Sequence, residues 1–305
     1  MTLFLYASTV LLWGTTWIAI HFQLGEVPVL VSAFYRFAIA GMLFLPALAL
    51  LRRVQRTSLR DHGFFLLQGC CLFSFNFVCF YTASQYIVSG LISVVFSAAI
   101  LFNAVNNRLL WRERAEPAIY IAATLGIAGL VLLFWDSIAG GHFDRGAALG
   151  LGLALLGTYF FSLGNMISVR HSRRGLKPWT SNAYAMIYGA LILLACVIAT
   201  DTEWKMDTRP IYVGSLLYLA IPGSILGFTA YLTLVGRIGA NRAAYATVLF
   251  PLVALTLSTW FEGYRWTVMS FAGLLLVLLG NTVSLGGLEM VRRWRPGSVR
   301  ERMVQ

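Results

Sequence analysis

Apolar stretches of about 20 residues follow one another along this chain with only short polar breaks between them. About 20 residues is the length that carries a helix across the hydrocarbon core of a bilayer. Ten such stretches are legible, near residues 3–22, 29–51, 63–83, 86–110, 118–135, 146–168, 180–200, 210–234, 241–260 and 266–287. The division between the third and fourth rests on the short polar step Ser84-Gln85-Tyr86. Only 11% of the 305 residues are charged, against about 25% in a soluble domain. That is too little charge to cover a water-facing surface, so lipid is the expected solvent for most of the chain. The expected fold class is all-α: a polytopic membrane protein with ten transmembrane helices. The first stretch has no basic leader and no small-residue cleavage site, and it reads as a membrane span rather than a removed signal.

The net charge of +11 comes from basic clusters between the apolar runs. One set of loops holds Arg52, Arg53, Arg56, Arg60, Arg108, Arg112, Arg114, Arg170, Arg173 and Arg174, and the tail adds five more arginines. The alternate loops hold only Arg145, Lys205, Arg209 and Arg265, with most of the acids, Glu262 among them. The positive-inside rule then puts both termini in the cytoplasm of a multi-pass protein of the cell inner membrane. Nucleic acid is rejected as a partner, because the clusters are accounted for by anchoring helix ends at the lipid bilayer. Cys70, Cys71, Cys79 and Cys196 all lie inside apolar runs and read as small buried hydrophobes.

Two segments resemble each other, one starting at Val95 and the other at Tyr245. Each reads as an apolar helix, then an aromatic and a glutamate (Trp111 and Glu113; Trp260 and Glu262), then an apolar helix with small residues seven apart. The two glutamates are 149 residues apart, close to half the chain. The repeat is therefore five helices. Five is odd, so the second copy is inverted, which gives a fold two near-equivalent packings. The expected domains are 1–140 and 141–288, the two inverted five-helix repeats around a central cavity, followed by a basic cytoplasmic tail, 289–305.

This arrangement resembles the EamA family of the drug/metabolite transporter superfamily, and the stretch RFAIAGMLFLP from Arg36 resembles that family's second helix. The resemblance implies a cavity lined by the first four helices of each half, with the fifth and tenth peripheral, and a role in exporting metabolites such as amino acids. One departure is Phe102, which stands in the first half where the second has Pro251. The two halves are expected to bend differently.

Arg36 lies mid-depth in the second span. A central arginine costs about 2.5–3.5 kcal/mol on insertion scales, so it should face the bundle interior. It reads either as a hook for a substrate carboxylate or phosphate or as a clamp on backbone carbonyls or an aromatic face. The resemblance implies that the arginine recurs whatever the substrate, which bears on the second reading. Trp13, Thr16 and Trp17 share one face of the first helix, with Ile20 next along it. They read as a cavity wall or as ordinary packing. The further cavity candidates are Tyr81, Ser93, Ser97, Tyr159, Asn165, Tyr184, Tyr188 and Tyr245. Polar groups in membrane helices either line pores or bond helices together. Pro222 and Pro251 are hinge candidates.

No Walker A motif, metal-spaced cluster or catalytic pair is present in the sequence. No catalytic residue, metal or cofactor is expected, and the chain reads as not an enzyme. With the acids in loops or at helix ends, flux down a gradient is favoured over proton coupling. The leading function is a transporter moving a small metabolite, an amino acid or related carboxylate or amphipathic solute, outward by alternating access. The alternative is a non-transporting membrane scaffold or receptor. The expected assembly is a monomer or weak homodimer. Arginine far outnumbers lysine, which hints at a GC-rich bacterial source.

Overall fold

The computed structural model describes residues 2–111, 117–139, 144–238 and 245–284, and every regular element among them is helical. Besides a five-residue helix at Trp135–Ala139, the helices are α1 (Thr2–His21), α2 (Val29–Leu50), α3 (Leu59–Ala83), α4 (Ser89–Leu110), α5 (Pro117–Leu133), α6 (Arg145–Arg173), α7 (Pro178–Ala199), α8 (Pro210–Leu234), α9 (Tyr245–Phe261) and α10 (Val268–Ser284). Six of them, α2, α3, α4, α6, α7 and α8, are long and apolar enough to cross a membrane. The apolar parts of α5, α9 and α10 are shorter, at 10–17 residues. The expected tail, 289–305, and Glu113 lie outside the described residues.

Local chemistry sets the boundaries where they differ from the expected ones. α3 starts at Leu59, four residues early. A capping box explains this: the Ser58 backbone N–H donates to Asp61 Oδ2 at 3.1 Å, and the Asp61 N–H donates to Ser58 Oγ at 3.3 Å. The pair satisfies donors that a helix start leaves open. α6 runs on to Arg173 because Arg170, His171 and Arg173 in its last turn complement the negative end of the helix dipole. At its start, Asp144 accepts from the Ala147 N–H at 2.8 Å.

Three helices depart from α geometry. α3 widens to a π-helical segment at Cys71–Phe75, and α8 does the same at Leu219–Leu226. α4 is interrupted by a turn at Ser97 and Ala98, whereas α9 runs unbroken through Pro251. Of these two helices, it is the one without proline that breaks.

α5 packs against α10, α2 against α7, α1 against α8 and α9, α3 against α6 and α7, and α4 against α6 and α9. α2 also packs against α8. The α5–α10 pair is closest at Gly129 and Gly273. A Cβ on either glycine would lie 2.6 Å from the carbonyl oxygen of the other. With no water to drive apolar helices together, such close backbone approach is what holds them.

Candidate functional site

A small cavity of about 40 Å³ opens at the middle of the bundle. Its first wall is α1. The helical spacing of Trp13, Thr16, Trp17 and Ile20 turns all four side chains inward, and all four line the cavity. α3 supplies Asn76, Phe77 and Phe80, which follow directly on its π-helical segment. Phe96 of α4, Phe161 of α6, Phe228 of α8 and Phe250 of α9 complete the apolar lining, and α2 contributes Arg36.

The two tryptophans meet four of the phenylalanines edge to face, an arrangement their quadrupoles favour, while Trp17 stacks on Phe250. Trp13 meets Phe228 at 5.0 Å between centroids and Phe161 at 6.2 Å. Trp17 meets Phe80 at 5.2 Å and Phe96 at 5.6 Å. α8 approaches α1 closely enough that a Cβ on Gly227 would fall 2.6 Å from the Trp13 indole nitrogen.

Arg36 is only 2% exposed. Its Nε donates to Ser224 Oγ at 3.1 Å, and the Ser224 hydroxyl donates in turn to the Leu219 carbonyl at 2.8 Å. The guanidinium carbon stands 4.2 Å from the Phe77 ring centre and 5.2 Å from that of Phe37. No carboxylate lies within ion-pair distance of it among the described residues. Nη1 is buried without a hydrogen-bond partner. Asn76 adds a second buried donor without a partner to the same lining. Its Oδ1 accepts from the Phe77 N–H at 2.8 Å, while its Nδ2 is buried without a partner. A wall of aromatic rings with two unsatisfied donors, one of them cationic, suits a ligand with an apolar body and an anionic end.

Of the other sequence candidates, Tyr81 stands beside the Arg36 guanidinium, fully buried, and donates to Gln23 Oε1 at 2.6 Å. Ser93 and Ser97 turn their hydroxyls back to the carbonyls of Gly90 (2.5 Å) and Val94 (2.6 Å). Tyr159 packs its ring 5.4 Å from that of Phe102. Asn165 is half-buried, with Nδ2 unpartnered. Tyr184 stacks on Phe65 at 5.3 Å, and the Tyr188 hydroxyl lies 2.9 Å from His62 Nδ1. None of these six positions from Tyr81 to Tyr188 that bear a hydroxyl lines the cavity, nor does Asn165. The side chain of Tyr245 lies outside the described residues. Pro222 sits within the π-helical segment of α8, where a wide turn accommodates a residue lacking an N–H. Pro251 follows Phe250 within α9.

Two features escaped the sequence. One is the set of lining phenylalanines, which in sequence look like any membrane-span residue. The other is Glu262, read as an outside loop acid. Its side chain is 3% exposed, and Oε1 lies 3.1 Å from His21 Nδ1. Ser89 donates to it through both its hydroxyl (2.6 Å) and its N–H (2.9 Å), and the Ser258 hydroxyl donates as well. Burial alone would raise its pKa. Contacts from His21, Ser258 and Ser89 outweigh burial and hold it below the usual carboxylate range.

A model of the EamA-like transporter family matches residues 1–135 and 148–286. The chain is 27% identical over 303 residues to a protein of Salmonella typhimurium named a probable amino-acid metabolite efflux pump, covering 96% of this chain and 97% of that one. A protein of the same name from Escherichia coli K12 is 26% identical, with 94% of each chain covered. An uncharacterized inner membrane transporter of Escherichia coli K12, YedA, is 28% identical over 90% of this chain and 88% of its own. Among solved structures, one crystal structure superposes with a TM-score of 0.69 at 19% identity, covering 96% of this chain and 99% of the other.

Proposed function

The chain belongs to the EamA-like transporter family, and from that premise we propose that it is a bacterial inner-membrane transporter that exports a small carboxylate-bearing metabolite, such as an amino acid, by alternating access. The observation that carries this reading is Arg36: a buried guanidinium on a cavity wall, with one nitrogen lacking a partner. An unsatisfied buried donor on a charged group is costly. A ligand carboxylate brought to Nη1 by a shift of the lining would remove that cost, and Asn76 Nδ2, on the same lining, is a second buried donor without a partner. The aromatic faces of Phe77 and Phe37 and the Ser224 hydroxyl keep the cation stable when no ligand is there. The hook and the clamp are then two functions of one side chain.

The two relatives named as efflux pumps support an outward direction and an amino-acid-like cargo. The helix pairings support two related halves, 1–140 and 141–288, and the odd number of helices in each implies that they are inverted. Exchanging α1–α5 for α6–α10 maps the α1–α9 contact onto α6–α4, α1–α8 onto α6–α3, and α3–α7 onto α8–α2. It leaves α2–α7 and α5–α10 unchanged. Such symmetry gives a cavity two ways to open. The alternation of basic loops supports cytoplasmic termini.

The test is efflux from proteoliposomes loaded with a panel of amino acids and related carboxylates. Protein-dependent release of at least one is the expected result. No release of any solute in the panel, with the protein folded and inserted, overturns the reading.

A further inference from the structure

Ile20 lines the cavity, and at His21, the next residue of α1, three helices meet on the Glu262 carboxylate outside that lining. His21 ends α1, Ser89 begins α4 and Ser258 lies in the last turn of α9. All three reach Glu262, which itself is held just past the end of α9. Ser258 Oγ also accepts from the Gly90 N–H at 2.9 Å, so the α4 start is tied twice. His21 is the titratable group facing the carboxylate, and its other partners are hydroxyls and one backbone N–H.

We propose that Glu262 is the latch that closes the outer mouth of the cavity. The inference rests on the transporter reading and on cytoplasmic termini, which place this end of the bundle outside. Separating α1 and α4 from α9 at this end must break the His21 and Ser89 contacts to the carboxylate, while the Ser258 contact, local to the end of α9, stays. A buried carboxylate stripped of these donors is strongly unfavourable unless water replaces them. Opening the mouth and hydrating Glu262 are therefore one event, and the His21 and Ser89 contacts favour the closed arrangement. Glutamine has nearly the same shape but no charge, and its amide group would set donor against donor at Ser89 or Ser258. Aspartate keeps the charge on a stem one methylene shorter.

The experiment places a reporter, Ile20→Cys, behind the latch and measures its reaction with a membrane-impermeant maleimide applied to each face of intact membranes. The signal of the native cysteines is subtracted from a sample lacking the reporter. Adding Glu262→Gln is expected to speed labelling from the outer face at least tenfold, as a shifted closed-to-open ratio requires, with Glu262→Asp between the two. A residue with a merely structural role would not give a gain confined to one face. Equal rates in the parent and in Glu262→Gln overturn the latch, and if efflux from proteoliposomes persists in the same samples, the transporter reading stands. Should Glu262→Gln not remain monodisperse, Ser89→Ala carries the same comparison. It removes one hydroxyl, about threefold faster labelling is expected, and an unchanged rate overturns the proposal.

Discussion

The guanidinium carbon of Arg36 stands 4.2 Å from the ring centre of Phe77, so the cation is held by an aromatic face rather than by a carboxylate. A cation held in this way is stable without being neutralised, which leaves its charge available to the cavity.

That separation predicts that fold and flux can be uncoupled at this position. Arg36→Met removes a buried charge while keeping a long side chain. Its melting temperature should stay within a few degrees of the parent, because exchanging a buried charge for an apolar group is often neutral or better. Carboxylate efflux should fall at least tenfold, in line with the cost of losing one charge-assisted contact. Melting in detergent beside efflux from liposomes checks both. Parallel loss of the two would favour a purely structural arginine.

Substrate protection should follow the cavity wall. A cysteine at Thr16, which lines it, should react more slowly with a thiol reagent when a transported amino acid is present. A cysteine at Tyr188, whose hydroxyl meets His62 instead, should react at the same rate with and without it. Protection at Tyr188 would move the binding region towards α7.

Gly129→Leu should destabilise the protein by about 1–3 kcal/mol, the usual cost of forcing atoms into a packed contact, or more. Its Cβ alone would lie 2.6 Å from the Gly273 carbonyl. Thermal melting should show the loss. Gly63→Leu, where a Cβ meets nothing within 4 Å, should melt with the parent.

Acid should unlock the Glu262 junction. The folded carboxyl lies below its ordinary value of 4.5, despite burial, because His21, Ser258 and Ser89 favour the charged form. An acid depressed in this way contributes stability that is fully present above the ordinary value and is lost as pH falls through the folded one. Melting temperature should therefore fall below about pH 4.5, and part of that fall should vanish in Glu262→Gln. Identical pH profiles for parent and variant would contradict the assignment.

The sequence made the helix positions legible because apolar length in lipid leaves few alternatives. It also picked out Trp13, Thr16, Trp17 and Arg36, where an uninterrupted helical spacing or a costly charge implied a direction. It could not pick out Phe77, Phe80 and Phe228, since phenylalanine is equally at home facing lipid. Their direction also depends on widened turns at 71–75 and 219–226 that break the 3.6-residue register. The serine stripe of α4 misled because a short hydroxyl can satisfy itself on its own backbone, as Ser93 and Ser97 do. Tyr184 and Tyr188 were read without His62, which the Ser58 capping box carries into α3.

The two π-helical segments each add residues that a regular helix would not need. A wide turn spreads its rotation over the extra residue, so the helix beyond it keeps its face. Loss of that residue should leave Phe77, Phe80 and Phe228 on the wall, whereas a deletion in the unbroken α1 would swing everything beyond it by about 100°. Length changes are thus absorbed in α3 and α8 at places where α1 has no such slack.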